Sequence, residues 1–96
     1  MARSNLPKTI NILGREYVIR RKRMRDYGCC DIGPGIIWIR SGLSKEDFDA
    51  TLMHEVIHGI LHESGVHYQF TDELTESIVR AMEHGMWRAG YRLETG

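Results

Sequence analysis

The segment Thr51-Leu52-Met53-His54-Glu55-Val56-Ile57-His58 holds two histidines four apart, with a glutamate directly after the first. On a helix, residues four apart project from one face, one above the other. His54 and His58 can therefore offer two imidazole nitrogens to one ion. Glu55, beside them, can reach a water held by that ion. Two nitrogen ligands, a carboxylate base and an open coordination position are the working parts of a hydrolytic zinc centre. The expectation is one Zn²⁺ per chain, with His54 and His58 as ligands and Glu55 as general base.

The surrounding residues predict the helix that this spacing needs. Ser44 is a good N-cap, and Glu46 and Asp47 follow where acids favour the positive helix end. The helix then runs from about 45 to 63 and stops near Ser64-Gly65. Phe48, Leu52, Val56 and Gly59 share one side, with Met53, Ile57 and Ile60 close by. Thr51, His54, Glu55, His58 and His62 share another. A helix apolar over most of its circumference is buried. Two histidines and a glutamate on one stripe of it need satisfying partners, which single core histidines find in backbone carbonyls. A metal satisfies the whole stripe at once.

A catalytic zinc takes three protein ligands and a water. His62, His67, Glu73, Glu76 and Glu83 are the candidates for the third. Steps of roughly 6 Å along one straight helix carry His62 past an ion with ~2 Å bonds. A carboxylate on a second, antiparallel helix avoids that problem. Thr71 or Asp72 caps such a helix, which reaches to about 87 or 88. Leu74, Ile78, Ala81, Met82 and Gly85 are its expected packing stripe. Glu76, one turn in and on the flank of that stripe, is the preferred ligand. Glu73 is next, although the helix dipole already explains an acid there. Glu83, three turns in, is expected to lie too far along and to be dispensable for metal.

Ahead of the helices, Lys8–Ile12 and Glu16–Arg20 read as strands joined by a hairpin at Leu13-Gly14-Arg15, with Gly14 free to take positive φ. The basic run Arg20–Arg25 reads as a loop or irregular continuation. Tyr27–Ile32 is a short third strand, Gly33-Pro34-Gly35 a turn, and Ile36–Arg40 a strand with both faces covered, one by the core and one by a cleft. The predicted fold is α+β, a three- or four-stranded antiparallel sheet followed by two packed helices. Val66–Phe70 is a link of undefined shape, and the tail 90–96 carries little signal.

Ninety-six residues make a single domain, 1–96, with one modest core. No apolar run is long enough to cross a bilayer, and the first residues lack the apolar segment of a secretory signal. Adjacent Cys29 and Cys30 are poor partners for one disulfide, so a reducing cytoplasm is the expected setting. Net charge is zero, but residues 1–25 hold eight of the thirteen basic side chains and only one acid, Glu16. The run at 20–25 can bind phosphate backbones, although a solvated strand end explains it more simply. A nucleic-acid partner is therefore not the favoured expectation, and a membrane partner is not expected.

The stretch Thr51–His62 resembles the helix of the ImmA/IrrE-like metallopeptidases, which often reads His-Glu-x-x-His-x-x-Leu-His. The wider layout resembles small phage and prophage proteins allied to that group. The shared pattern is a β-rich first half, Gly28-Cys-Cys-Asp31, an apolar strand, Leu43-Ser44, Thr-Leu-x-His-Glu, then Glu76-Ser-Ile-Val79. It covers about residues 8–88. The resemblance implies a minimal zincin-like core that hydrolyses peptide bonds in a protein or peptide substrate. In it His54, His58 and Glu76 would hold zinc, and Glu55 would be the base. The metzincin extension is ruled out by Ser64. His58-Gly-Ile-Leu-His62-Glu-Ser-Gly65 is also similar to the motif of YbeY-type endoribonucleases. Their third His would fall at Tyr68, and His67 stands one residue short. A zinc-dependent ribonuclease or a non-catalytic zinc or partner-binding module are the alternatives.

Overall fold

The chain opens with a tight hairpin. β1 (Thr9–Ile12) pairs antiparallel with β2 (Arg15–Lys22), joining Ile10 to Tyr17 and Ile12 to Arg15. The computed structural model describes residues 8–95, so residues 1–7, on which the secretory-signal reading rests, and Gly96 lie outside it. Leu13 and Gly14 make the turn with φ of +50° and +90°. Positive φ at both central residues is the turn whose twist matches a hairpin. Glycine meets that demand freely, but leucine does not.

β3 (Gly28–Asp31) and β4 (Ile36–Arg40) follow, and the sheet order is β1-β2-β4-β3. The expected all-antiparallel sheet is corrected here, because β2 and β4 run parallel, with Val18 beside Ile36 and Lys22 beside Arg40. Two features of the chain produce this. The run Arg20-Arg21-Lys22 continues β2 rather than leaving it, and β3 then returns along the outside. The most apolar strand, β4, thereby gains partners on both sides, while the polar β3 takes the edge. The second face of β4, expected to line a cleft, is left without a covering helix among the described residues. Ile37 and Ile39 are buried beneath the first helix, while Ile36 and Trp38 lie half-buried on the sheet's outer face.

α1 (Lys45–Glu63) begins at Ser44, whose hydroxyl accepts from the Asp47 N–H at 3.1 Å. It ends before Gly65, which takes φ +79°. α1 is the centre of the molecule. Leu52 and Val56 join Ile10, Ile12, Tyr17, Ile19, Ile37 and Ile39 in one core, and Met53, Ile57 and Leu61 meet Val79 in a second. Each such buried aliphatic contributes about 1.5–3 kcal/mol of transfer free energy. At the helix's far end, Glu63 accepts from Tyr17 Oη at 2.5 Å and from Arg15 Nη1 at 3.0 Å, tying α1 to β2.

A short 3-10 turn, Val66–Gln69, reverses the chain into α2 (Asp72–Arg88), which Thr71 caps by accepting from the Leu74 N–H. α2 returns antiparallel to α1, as expected. Its expected packing stripe is wrong. Leu74 and Met82 remain 47% and 42% exposed, and Ala81 and Gly85 are exposed too. The inward face instead carries Thr75, Glu76, Val79, Glu83 and Met86. Through Glu76 and Glu83 that face meets His54 and His58, and through Val79 and Met86 it meets Met53, Ile57 and Leu61, so its mixed polarity matches what it packs on.

The hairpin yields a stability test. A left-handed non-glycine residue costs roughly 1–2 kcal/mol, and asparagine bears it better. Leu13 is 64% exposed, so little buried area is at stake. Leu13→Asn should stabilise the domain by about 1 kcal/mol, raising the melting temperature roughly 4–8 °C. An unchanged or lower transition in calorimetry would contradict this account of the turn.

Candidate metal centre

His54 and His58 project from α1 toward α2, where Glu76 stands between them. His54 Nε2 lies 3.0 Å from Glu76 Oε1, and His58 Nε2 lies 3.0 Å from Glu76 Oε2. These three residues form the one group of His, Cys, Asp or Glu among the described residues whose donor atoms could share an ion, all within 4.8 Å of one another. Two ligands about 2.0–2.1 Å from a tetrahedral zinc sit roughly 3.3 Å apart, so the triad is already near the required spacing.

The protonation pattern sharpens the fit. His54 Nδ1 donates to Glu83 Oε1 at 2.8 Å. Its Nε2 therefore faces a second carboxylate, and either a second proton or a cation must lie between them. Burial is the leading influence on His58 and lowers its pKa, outweighing the nearby Glu76 carboxylate. A neutral imidazole is the form that binds metal. The donor set of two imidazoles and one carboxylate suits zinc, with a position left over.

Glu83 stands outside the triad, as expected, but it is not too far along α2 to reach the histidines: it bonds the far nitrogen of His54. It lies seven residues after Glu76, two helical turns on, and so returns to the same face of α2. A carboxylate bonded to the far nitrogen of a ligating histidine fixes its tautomer and orientation. Glu73 is exposed and stands outside the triad. His62 and His67 stack on each other with ring centroids 3.7 Å apart, and His67 Nδ1 donates to the Leu61 carbonyl. Neither belongs to the triad. Tyr68 is 84% exposed.

Glu55 is 7% exposed and lies on the α1 face turned to β3. Desolvation raises its pKa to about 7, with Glu76 and Glu83 adding repulsion and His54 opposing. A divalent cation beside it would draw that value down again. Gly28 explains how a buried glutamate fits there. A Cβ at Gly28 would stand 2.7 Å from Thr51 Cγ2, 3.0 Å from the Trp38 carbonyl and 3.2 Å from Glu55 Cγ. Any side chain at position 28 would therefore displace the helix or Glu55. The Gly28-x-x-Asp31 segment thus has a steric reason. Gly59 serves likewise farther along, where a Cβ would meet Ile12 Cδ1 at 2.7 Å.

A cleft opens over this centre in two lobes that share Gly28, His54, Glu55 and Glu76. One lobe, of about 510 Å³, extends to Tyr27, Arg80 and Glu83, and the other reaches Cys30, His58 and His62. The free edge of β3 runs along it. The Arg40 N–H donates to the Tyr27 carbonyl. By the alternation of antiparallel pairs, the N–H and C=O of Gly28 and Cys30 turn away from β4, toward that edge. β4 is paired on both sides and offers no free edge. Cys29 and Cys30 are both free, and burial pushes the Cys30 thiol up to about 12. Cys30 is therefore a packing residue, lying against the first core. No helix is long and apolar enough to cross a membrane among the described residues.

Comparison of the chain with protein-family models, curated proteins and solved structures gives no match.

The triad and its support should separate in a zinc titration against a chromophoric chelator. Glu76→Ala should abolish tight zinc binding. Glu83→Ala should keep one site but weaken it about 10–100-fold, the usual effect of losing a carboxylate behind a histidine ligand. Wild-type affinity in Glu83→Ala would show that His54 needs no such support.

Proposed function

We propose that this domain is a zinc-dependent peptidase, with His54, His58 and Glu76 as metal ligands and Glu55 as general base. The observation that carries the reading is the convergence of Glu76 on both histidine Nε2 atoms at 3.0 Å, with Glu55 lining the same cleft. It completes the two-histidine, one-glutamate set of hydrolytic zinc sites, and that set leaves a position for water. The resemblance of Thr51–His62 to the ImmA/IrrE-like metallopeptidases points the same way.

Bound zinc supplies Lewis acidity, which lowers the pKa of a water from ~15.7 toward ~7 and polarises a carbonyl. The protein's own groups do the rest. Glu55 takes the proton from the attacking water and returns it to the leaving amine. Its buried setting suits this, since a carboxylate drawn away from solvent is more basic than one in water. Glu83 holds the His54 ring in one orientation. The free backbone groups of Gly28 and Cys30 can align an extended peptide along the cleft by strand addition. The absence of a side chain at Gly28 keeps that approach open.

The ribonuclease alternative has less support. It calls for a histidine-rich site, and His62 and His67 are occupied with each other rather than with His54 and His58. A non-catalytic zinc module would use the same three ligands but would have no need of Glu55.

Glu55→Gln separates these readings. The variant should bind zinc as the wild type does, because Glu55 is not a ligand. Its turnover of an unfolded protein substrate, followed by fluorogenic casein, should fall at least ~10²-fold. Equal activity in wild type and variant would remove Glu55 from the chemistry. Zinc-dependent cleavage of single-stranded RNA with no proteolysis would favour the ribonuclease.

A further inference from the structure

The metal centre occupies the α1 side of the sheet, and the opposite side carries a different chemistry. Ile37, Ile39, Gly28 and Cys30 face α1, so Trp38 and Arg40 face away, as do Arg20 and Lys22 of β2. Cys29 and Tyr27, at the sheet edge, border both this face and the metal cleft. The pairing sets them in two adjacent rows. Arg20, Trp38 and Cys29 form one, and Lys22, Arg40 and Tyr27 the other. No helix covers this face among the described residues.

The two rows contain three cations, two aromatic rings and no acid. Lys22 Nζ lies 4.3 Å from the Trp38 ring centre, and the Arg40 guanidinium lies 5.0 Å from that of Tyr27. Tyr27 is 51% exposed, Trp38 is half-buried, and Arg20 and Lys22 are exposed. Arg23 and Arg25 in the following loop extend the positive field, Glu16 and Asp31 lie farther along the same face, and Asp26 lines the metal cleft. The basic run is therefore not a loop with scattered charge. Half of it is strand, and alternation delivers Arg20 and Lys22 to the face that also presents Trp38.

We infer that this outer sheet face binds single-stranded nucleic acid. Phosphates need fixed cations, and unpaired bases need aromatic faces on which to stack. Tyr27, just before β3, stands diagonal to Trp38 of β4, roughly 8 Å away, which is a reach that two successive bases can span. Lys22 and Arg40 lie over these two rings, so each can swing from its ring to a phosphate as a base stacks. A duplex keeps its bases stacked internally, so it could use the charges but not the rings. This binding is independent of the peptidase reading, since it shares no residue with the metal ligands.

The test is fluorescence anisotropy with labelled oligothymidylate and oligouridylate of about 12 nucleotides, within the usual site size of such surfaces. Either strand bound with affinity that falls steeply as salt rises supports the proposal. In a Trp87→Phe background, quenching of the remaining tryptophan should accompany binding. Trp38→Ala and Tyr27→Ala should each weaken it about fivefold or more. The double charge reversal Arg20→Glu with Lys22→Glu, at exposed positions, should abolish it with an unchanged melting curve, which keeps the test valid if Trp38→Ala fails to fold. His58→Ala should bind the oligonucleotide like the wild type, so failure of the metal site and failure of this face are read separately. Absence of binding to both strands would overturn the proposal. So would equal binding of a duplex of the same length with no quenching, because charge alone would then explain it.

Discussion

The meeting of the two helices turns on one carboxylate, that of Glu76, held between two imidazole nitrogens. His54 Nε2 and His58 Nε2 approach its two oxygens equally closely, while Glu83 takes up the other nitrogen of His54. Four polar side chains at this spacing, partly withdrawn from water, need charge neutralised among them. One bound divalent cation would do so. The antiparallel return of α2 is what brings residues so far apart in sequence to that point. The 3-10 turn at Val66–Gln69 and the Thr71 cap set where α2 begins, and hence which of its turns meets which histidine.

The sheet supports the same end by close approach. α1 sits above β3 and β1 with two glycines at the contacts. Gly28 gives room to Thr51 and Glu55, and Gly59 gives room to Ile12. Burying Glu55 is costly without compensation, and its raised pKa reflects that cost. The site thus depends on a packing detail in a strand that contributes no charged group to it. Stability and chemistry are linked here through sterics, not through a shared hydrogen bond.

Much of this was legible in the residues. Four-residue spacing put His54 and His58 on one face, Ser44 and Gly65 marked the ends of α1, and helix geometry preferred Glu76 to His62. The packing face of α2 was misread for a physical reason. Hydrophobic periodicity assumes that the inward face of a helix is the apolar one. On α2 the inward face serves the site, so it reads Glu76, Val79, Glu83, and the apolar Leu74 and Met82 are left outside. Glu83 was set aside by counting turns from the wrong reference, although seven residues return a helix to the same face. The parallel pairing of β2 with β4 depends on which strand can fill the middle of the sheet. That is a long-range competition which neighbouring residues do not encode. The rows of the outer face followed only once that register was known.

The central claim is that one zinc ion is held by two imidazoles and one carboxylate from two helices. Zinc-edge X-ray absorption on protein loaded with one equivalent tests it most directly. The account predicts a shell of four nitrogen and oxygen neighbours at about 2.0–2.2 Å, with outer-shell scattering from two imidazole rings. A six-coordinate all-oxygen shell, or scattering from one or three rings, would contradict it.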